Sequence, residues 1–398
     1  MTDVPAGVHR DPWVLRSQIR DVLSFHYPES LDHRYGGFVA QRDERDGHVY
    51  DARSRHLVAG ARSVHNFAVG ALVDGPDWCA SAAAHGLEFL ETAHWDAERE
   101  GYDWLLGGRE TVEATRYCYG HAFVLLAGAR ALQAGIPGAR RTIDRAAGVL
   151  ADRFREENGL YAAEATPDWT LDDYRGLNGN MHACEAHLAA YEATGDDEHL
   201  AIARGIAEGL VREPLDRTDG LLWEHFTPDW EPDYDYNRDQ PRHQFRPWGI
   251  DPGHQAEWAK LLALLDRHLD DPPAWLRERA IELFRGALTV GWDDVHGGFY
   301  YTHDLDGEPV VADKYGWPVT EAIGASALLS RWDDSYLEWY DRLWRYARTH
   351  LINPAYGTWY RRLTREHERD DPNRGVEVEP GYHPLNNAYV ALEVFGDG

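Results

Sequence analysis

His254 and Glu257 stand three residues apart in Asp251-Pro252-Gly253-His254-Gln255-Ala256-Glu257-Trp258, a spacing that puts both side chains on one side of a helix. The segment reads as a helix opening. Asp251 is the N-cap, Pro252 falls in the first turn, and an apolar run continues through Trp258, Leu261, Leu262, Leu264 and Leu265. A helix N-terminus disfavours imidazolium, so His254 is expected to be neutral, a general base that Glu257 holds in place.

Other polar groups interrupt apolar helical patterns in the same way. Arg62 lies in His56-Leu57-Val58-Ala59-Gly60-Ala61-Arg62, among small and apolar residues, and a buried guanidinium needs an anion or several acceptors. Asn178, His182 and Glu185 follow i, i+4, i+7 and form one polar stripe. Trp317 and Glu321 are i and i+4, with the indole a candidate to stack on a sugar. Tyr119 and His121 open one helical pattern and His383, in Gly381-Tyr382-His383-Pro384, opens the last. His383 is expected to face the same pocket as His254 and to supply a second acid/base.

Two rival chemistries use the same side chains. His254-x-x-Glu257 and His182-x-x-Glu185 offer ligands at helical spacing, but di-metal bundles run Glu-x-x-His with additional Glu, the reverse order. No metal or other cofactor is therefore expected. Glu185, Glu257 and Glu321 offer carboxylates for glycoside hydrolysis, which leaves two imidazoles among them without a purpose.

The elements that must position these groups follow a sixfold rhythm. A Gly-then-aromatic turn recurs as Gly36-Gly37-Phe38, Gly101-Tyr102, Gly159-Leu160-Tyr161, Gly220-Leu221-Leu222-Trp223, Gly297-Gly298-Phe299 and Gly357-Thr358-Trp359. Helical patterns fill the intervals, usually two to each, among them 54–73, 113–135, 180–194, 253–268, 317–331 and 382–395. About twelve helices in pairs predict an all-α (α/α)6 barrel, an inner ring inside an outer one, over a single domain 1–398; an open α-solenoid is the alternative. The irregular stretch 223–250 is rich in Trp, Tyr, Pro and Asp, and its length and its exit into His254 predict a wall of the site.

Composition narrows the setting. Sixty-eight acidic residues against 40 basic ones give a net charge of −28, which argues against nucleic acid and anionic membrane as partners. Lys260 and Lys314 are the only lysines; an acidic, lysine-poor surface suggests a halophilic protein. Three cysteines without pairing or metal spacing, no secretory signal around Asp3, His9, Arg10 and Asp11, and no membrane-length apolar run predict a soluble cytoplasmic protein. A homo-oligomer is compatible with the sequence, which specifies none.

Taken together, Gly-Gly-Phe near the start, Arg62, the Asn-Met-His-x-x-Glu helix, Pro-Gly-His-x-x-Glu-Trp, Trp-x-x-x-Glu and the C-terminal Tyr-His-Pro resemble the N-acylglucosamine 2-epimerase superfamily over nearly the whole chain. The resemblance implies an (α/α)6 barrel working on a monosaccharide without a metal. It implies His254 and His383 as the acid/base pair, and Arg62, Asn178, His182, Glu257 and Trp317 as sugar-binding residues; Tyr119, from its place at a helix start, is expected to bind sugar beside them. Glu257-Trp258-Ala259-Lys260 looks like the mannose-isomerase branch, so the expected reaction interconverts D-mannose and D-fructose, or related sugars such as lyxose, through a cis-enediol. A 2-epimerase of the N-acylglucosamine or cellobiose type and a sulfoquinovose isomerase are the alternatives within the superfamily. Pro318 after Trp317 and the acids in 377–380 depart from its pattern.

Overall fold

Inner and outer helices are distinguishable by their faces. The segments 57–72 and 316–329 are apolar almost all round, as a helix enclosed on every side must be. In contrast, 139–149 and 336–346 carry charge along one face and belong on the outside.

The computed structural model describes residues 6–369, 376 and 378–396; Glu377, one of the acids noted above, lies outside them. Twelve α-helices are present among the described residues: α1 (Pro12–His26), α2 (Leu57–Leu72), α3 (Trp78–Phe89), α4 (Cys118–Gln133), α5 (Ala139–Val149), α6 (Leu177–Thr194), α7 (Asp197–Leu210), α8 (Pro252–His268), α9 (Trp275–Gly291), α10 (Gly316–Leu329), α11 (Tyr336–Tyr346) and α12 (Tyr382–Phe395). The even-numbered helices touch in the order α2, α4, α6, α8, α10, α12, and α12 returns to α2. The odd-numbered helices pack outside them, α3 on α2, α5 on α4 and so on to α1 on α12. That closure makes the molecule an (α/α)6 barrel and overturns the open solenoid, whose ends would never meet.

Small residues let the inner helices approach. At Gly324 of α10 a Cβ would come within 2.0 Å of Asn387 Oδ1 on α12. Trp258, Trp344 and Tyr382 are almost wholly enclosed in the core, each large side chain contributing roughly 1.5–3 kcal/mol through burial.

The recurring turns have one structural job. At Gly298 the backbone is left-handed (φ 69°) and a Cβ would strike the Tyr346 hydroxyl at 2.3 Å, so only glycine reverses the chain there. The hairpins that follow end in short strands immediately before an inner helix. Arg116–Tyr117 pairs with Glu164–Ala165, Arg175–Gly176 with His225–Phe226, and Lys314–Tyr315 with Arg362–Leu363. These pairs gather the inner-helix N-termini at one rim. The helix expected from Glu113 begins only at Cys118, because Glu110–Glu113, with its β-branched Thr111 and Val112, forms a strand against Leu105–Gly107.

Candidate active site

Each inner helix delivers polar side chains from its first turns into one cavity of about 340 Å³ at that rim, within the usual range of small-molecule sites, roughly 300–1,000 Å³. Arg62, Tyr119, Asn178, His182, His254, Glu257, Trp317 and His383 all line it. His121 does not: its ring nitrogens are engaged by the Tyr102 amide (3.2 Å) and the Tyr117 carbonyl (2.7 Å). The 223–250 segment folds on itself through Trp223 Nε1 to the Asp233 carbonyl (3.0 Å) and Asn237 Nδ2 to the Arg246 carbonyl (2.9 Å), and presents His243, Gln244 and Phe245 as one wall.

The Trp317 indole lies against both imidazoles, with ring centroids 5.1 Å from His254 and 5.5 Å from His383. The two rings are held differently. Asp251 caps α8 by accepting from the Gly253 amide (2.8 Å), and Pro252 fills the first turn as expected. The partner of His254, however, is Glu224, whose Oε2 is 2.9 Å from Nδ1; Glu257, one turn further along α8, lines the same cavity without bonding to the ring. Nor is His254 neutral. Burial lowers its pKa, but the charge of Glu224 first, then that of Asp251 and the hydrogen bond to Glu224, outweigh burial and raise it to about 10. Asp251 itself is pushed up to about 7, by burial first and then by Glu224.

His383 donates from Nδ1 to Glu321 Oε1 at 2.6 Å. Its Nε2 is 3.3 Å from Arg62 Nη2, a group that can only donate, so that nitrogen offers its lone pair. Glu379 Oε2, 3.4 Å from the same Nε2, is placed to receive the proton's charge once the ring has taken it up. Arg62 is buried with the partners its sequence context demands: the Val378 carbonyl (3.0 Å), Glu379 (2.9 Å) and the Tyr119 hydroxyl (3.0 Å), with its guanidinium over the rings of Phe123 and Tyr382.

The Asn178 stripe turns inward. His182 donates from Nδ1 to Glu185 Oε2 (3.0 Å), and burial lowers its pKa to about 4, so it is neutral with Nε2 free to accept. Asn178 Oδ1 and both carboxyl oxygens of Glu257 are buried without a hydrogen-bond partner among the described residues. Burial, reinforced by the charges of Glu321 and Glu185, raises the Glu257 pKa well above the usual carboxylate range. Glu257 thus lines the cavity with its hydrogen-bonding capacity unspent.

His182, Glu185 and Glu257, and again Glu257, Glu321 and His383, bring possible ligand atoms within 4.8 Å of one another. The Lys260 ammonium stands in that cluster, 2.5 Å from Glu321 Oε2 and 3.6 Å from Glu185 Oε1. Glu224 and Lys260 are the residues that sequence reasoning did not place in the site. Glu224 had one available signal: it follows the fourth Gly-aromatic turn as Asp103 follows the second, and Asp103 pairs with buried Arg116.

The N-acylglucosamine 2-epimerase family model matches residues 36–385. The chain belongs to that family. It is 37% identical over 384 residues to a D-mannose isomerase of Marinomonas mediterranea, covering 95% of this chain and 96% of that one. It is 42% identical over 355 residues to a D-mannose isomerase of Thermobifida fusca, covering 88% and 86%. The crystal structure of a D-mannose isomerase superposes with a TM-score of 0.92 at 36% identity, over 98% of this chain and 100% of that one. This family member therefore shares both fold and substantial sequence with sugar isomerases, and no helix among its described residues is long and apolar enough to cross a membrane.

Proposed function

We propose that the protein is an aldose–ketose isomerase interconverting D-mannose and D-fructose through a cis-enediol, with His254 and His383 as its acid/base pair. The observation that carries this reading is the unlike state of two imidazoles flanking one indole: one held charged by Glu224, the other offering a lone pair at Nε2. The D-mannose isomerases at 37% and 42% identity support the choice of sugar.

His254, as imidazolium, donates to the ring oxygen as the hemiacetal opens. His383 Nε2 removes the proton from C2 while O1 is protonated, giving the cis-enediol. The His383 imidazolium exchanges that proton with solvent and delivers one to C1 as O2 gives up its own, so one C–H bond is broken and one formed with no net redox partner. Arg62 places its charge beside the developing enediolate, Asn178 offers it a hydrogen bond from Nδ2, and Glu257, as a neutral acid, donates to one hydroxyl and accepts from another. Lys260 already supplies a cation to the carboxylate cluster, so the reaction is assigned to side chains alone. The acidic composition supports a role at high salt without nucleic acid or anionic membrane as partner, and three free cysteines support a cytoplasmic location.

The test is NMR of D-mannose incubated with the protein in heavy water and molar salt, with and without EDTA. Fructose with deuterium at C1 and an EDTA-independent rate is the expected result. Glucose as the product would make the protein a 2-epimerase, and no solvent deuterium would remove the enediol.

A further inference from the structure

Lys260 is wholly buried on α8, in a chain that has only one other lysine and otherwise uses arginine. Its ammonium donates to Glu321 Oε2 at 2.5 Å and lies 3.6 Å from Glu185 Oε1 and 3.9 Å from Glu257 Oε1. A compact ammonium with three rotatable donors suits three converging carboxyl groups, whereas a planar guanidinium fork does not. The geometry points to Lys260 as a positioning residue for His383, standing in for the divalent cation that this set of carboxylates and imidazoles would otherwise admit.

The consequence runs through Glu321. With Oε2 occupied by Lys260, Oε1 is left to accept from His383 Nδ1 (2.6 Å) and Asn387 Nδ2 (2.8 Å). An acceptor on that side fixes the proton on Nδ1 and keeps the lone pair on Nε2, the nitrogen that faces the cavity. Glu185 is the second anion, held by His182 (3.0 Å) and by Asn386 Nδ2 (3.1 Å). Glu257, the most distant of the three carboxyls, is left without a hydrogen-bond partner and lines the cavity. One ammonium thus divides three carboxyl groups into two anchored anions and one unengaged acid. This inference rests on His383 being the base.

The test compares the Lys260→Met variant with the unaltered protein. Long-range proton–nitrogen spectra of the imidazoles, with His383 identified by its loss in a His383→Gln sample, are expected to show protonated Nδ1 in the unaltered protein and a mixed tautomer in the variant. For D-mannose, kcat is expected to fall about 10- to 100-fold, the range typical of groups that orient a reacting ligand, with KM changed less than about threefold. The Lys260→Met/Glu185→Gln double variant removes one of the stranded anions; compared with Glu185→Gln alone it is expected to regain thermal stability without regaining kcat or the tautomer. If the single variant does not fold, that comparison stands in its place. A folded variant with unchanged tautomer and kcat would overturn the assignment, as would a double variant whose kcat recovers in step with its stability. Failure of the unaltered protein to convert mannose would remove the proposed reaction and leave the tautomer measurement meaningful.

Discussion

Gly253 lies beneath Trp317: a Cβ at position 253 would stand 2.4 Å from Cη2 of the indole. The glycine therefore lets the indole settle at the mouth of α8, where it touches both imidazoles. Gly253→Ala favours the helix by about 1 kcal/mol in propensity, yet the overpacking costs roughly 1–3 kcal/mol and displaces the ring. The expected outcome is a folded protein with kcat/KM reduced about tenfold or more, read from mannose turnover beside a melting curve. Unaltered kinetics would show that the indole's position is unimportant.

Removing either imidazole should stop the reaction without unfolding the barrel. His254→Ala and His383→Ala are each expected to lower kcat by about 100- to 10,000-fold, with circular dichroism unchanged. Near-normal turnover in either variant takes that residue out of the mechanism.

Glu224 sets the alkaline behaviour of His254. Because the folded pKa, about 10, is above the unfolded value of about 6.5, the folded state binds the extra proton between the two. The associated stability is complete below the lower value and is lost as pH rises through the upper one. Glu224→Gln removes an attraction that sustains the raised pKa, so its kcat/KM should begin to fall at least about one pH unit earlier on the alkaline side. Chemical denaturation above about pH 8, where Asp251 is already ionised, should show a flatter loss of stability than in the unaltered protein. Coincident alkaline limbs would count against His254 as the acid.

Arg62 is chosen for its fork. Arg62→Lys keeps the charge but cannot reach the Val378 carbonyl, Glu379 and Tyr119 together. Losing charge-assisted hydrogen bonds of about 1.5–3 kcal/mol each should reduce kcat/KM by at least about tenfold. Full activity would mean that charge alone suffices.

The charge of −28 predicts salt-dependent stability. Screening of self-repulsion should raise the melting temperature between about 0.1 M and about 2 M potassium chloride. A fall over that range would argue against adaptation to high salt.

The paired helices and most of the cavity residues were legible along the chain, whereas the closure of the ring was decided by the contact of α12 with α2. Helical periodicity and the six Gly-aromatic turns are local, and local spacing is enough to place Arg62, Asn178, His182, His254, Trp317 and His383 at the starts of inner helices. The same local reasoning led to Glu257 as the partner of His254, because i+3 neighbours share a helix face. Tertiary structure decided otherwise. A strand pairing with Arg175–Gly176 carries Glu224 to the His254 ring from 30 residues away, and helices α6, α8, α10 and α12 converge to bring Lys260 among three carboxyl groups. Which histidine is charged, and which acid is neutral, is set by distances between elements remote in sequence and by the burial they create together; a pattern of residue types along one chain carries neither.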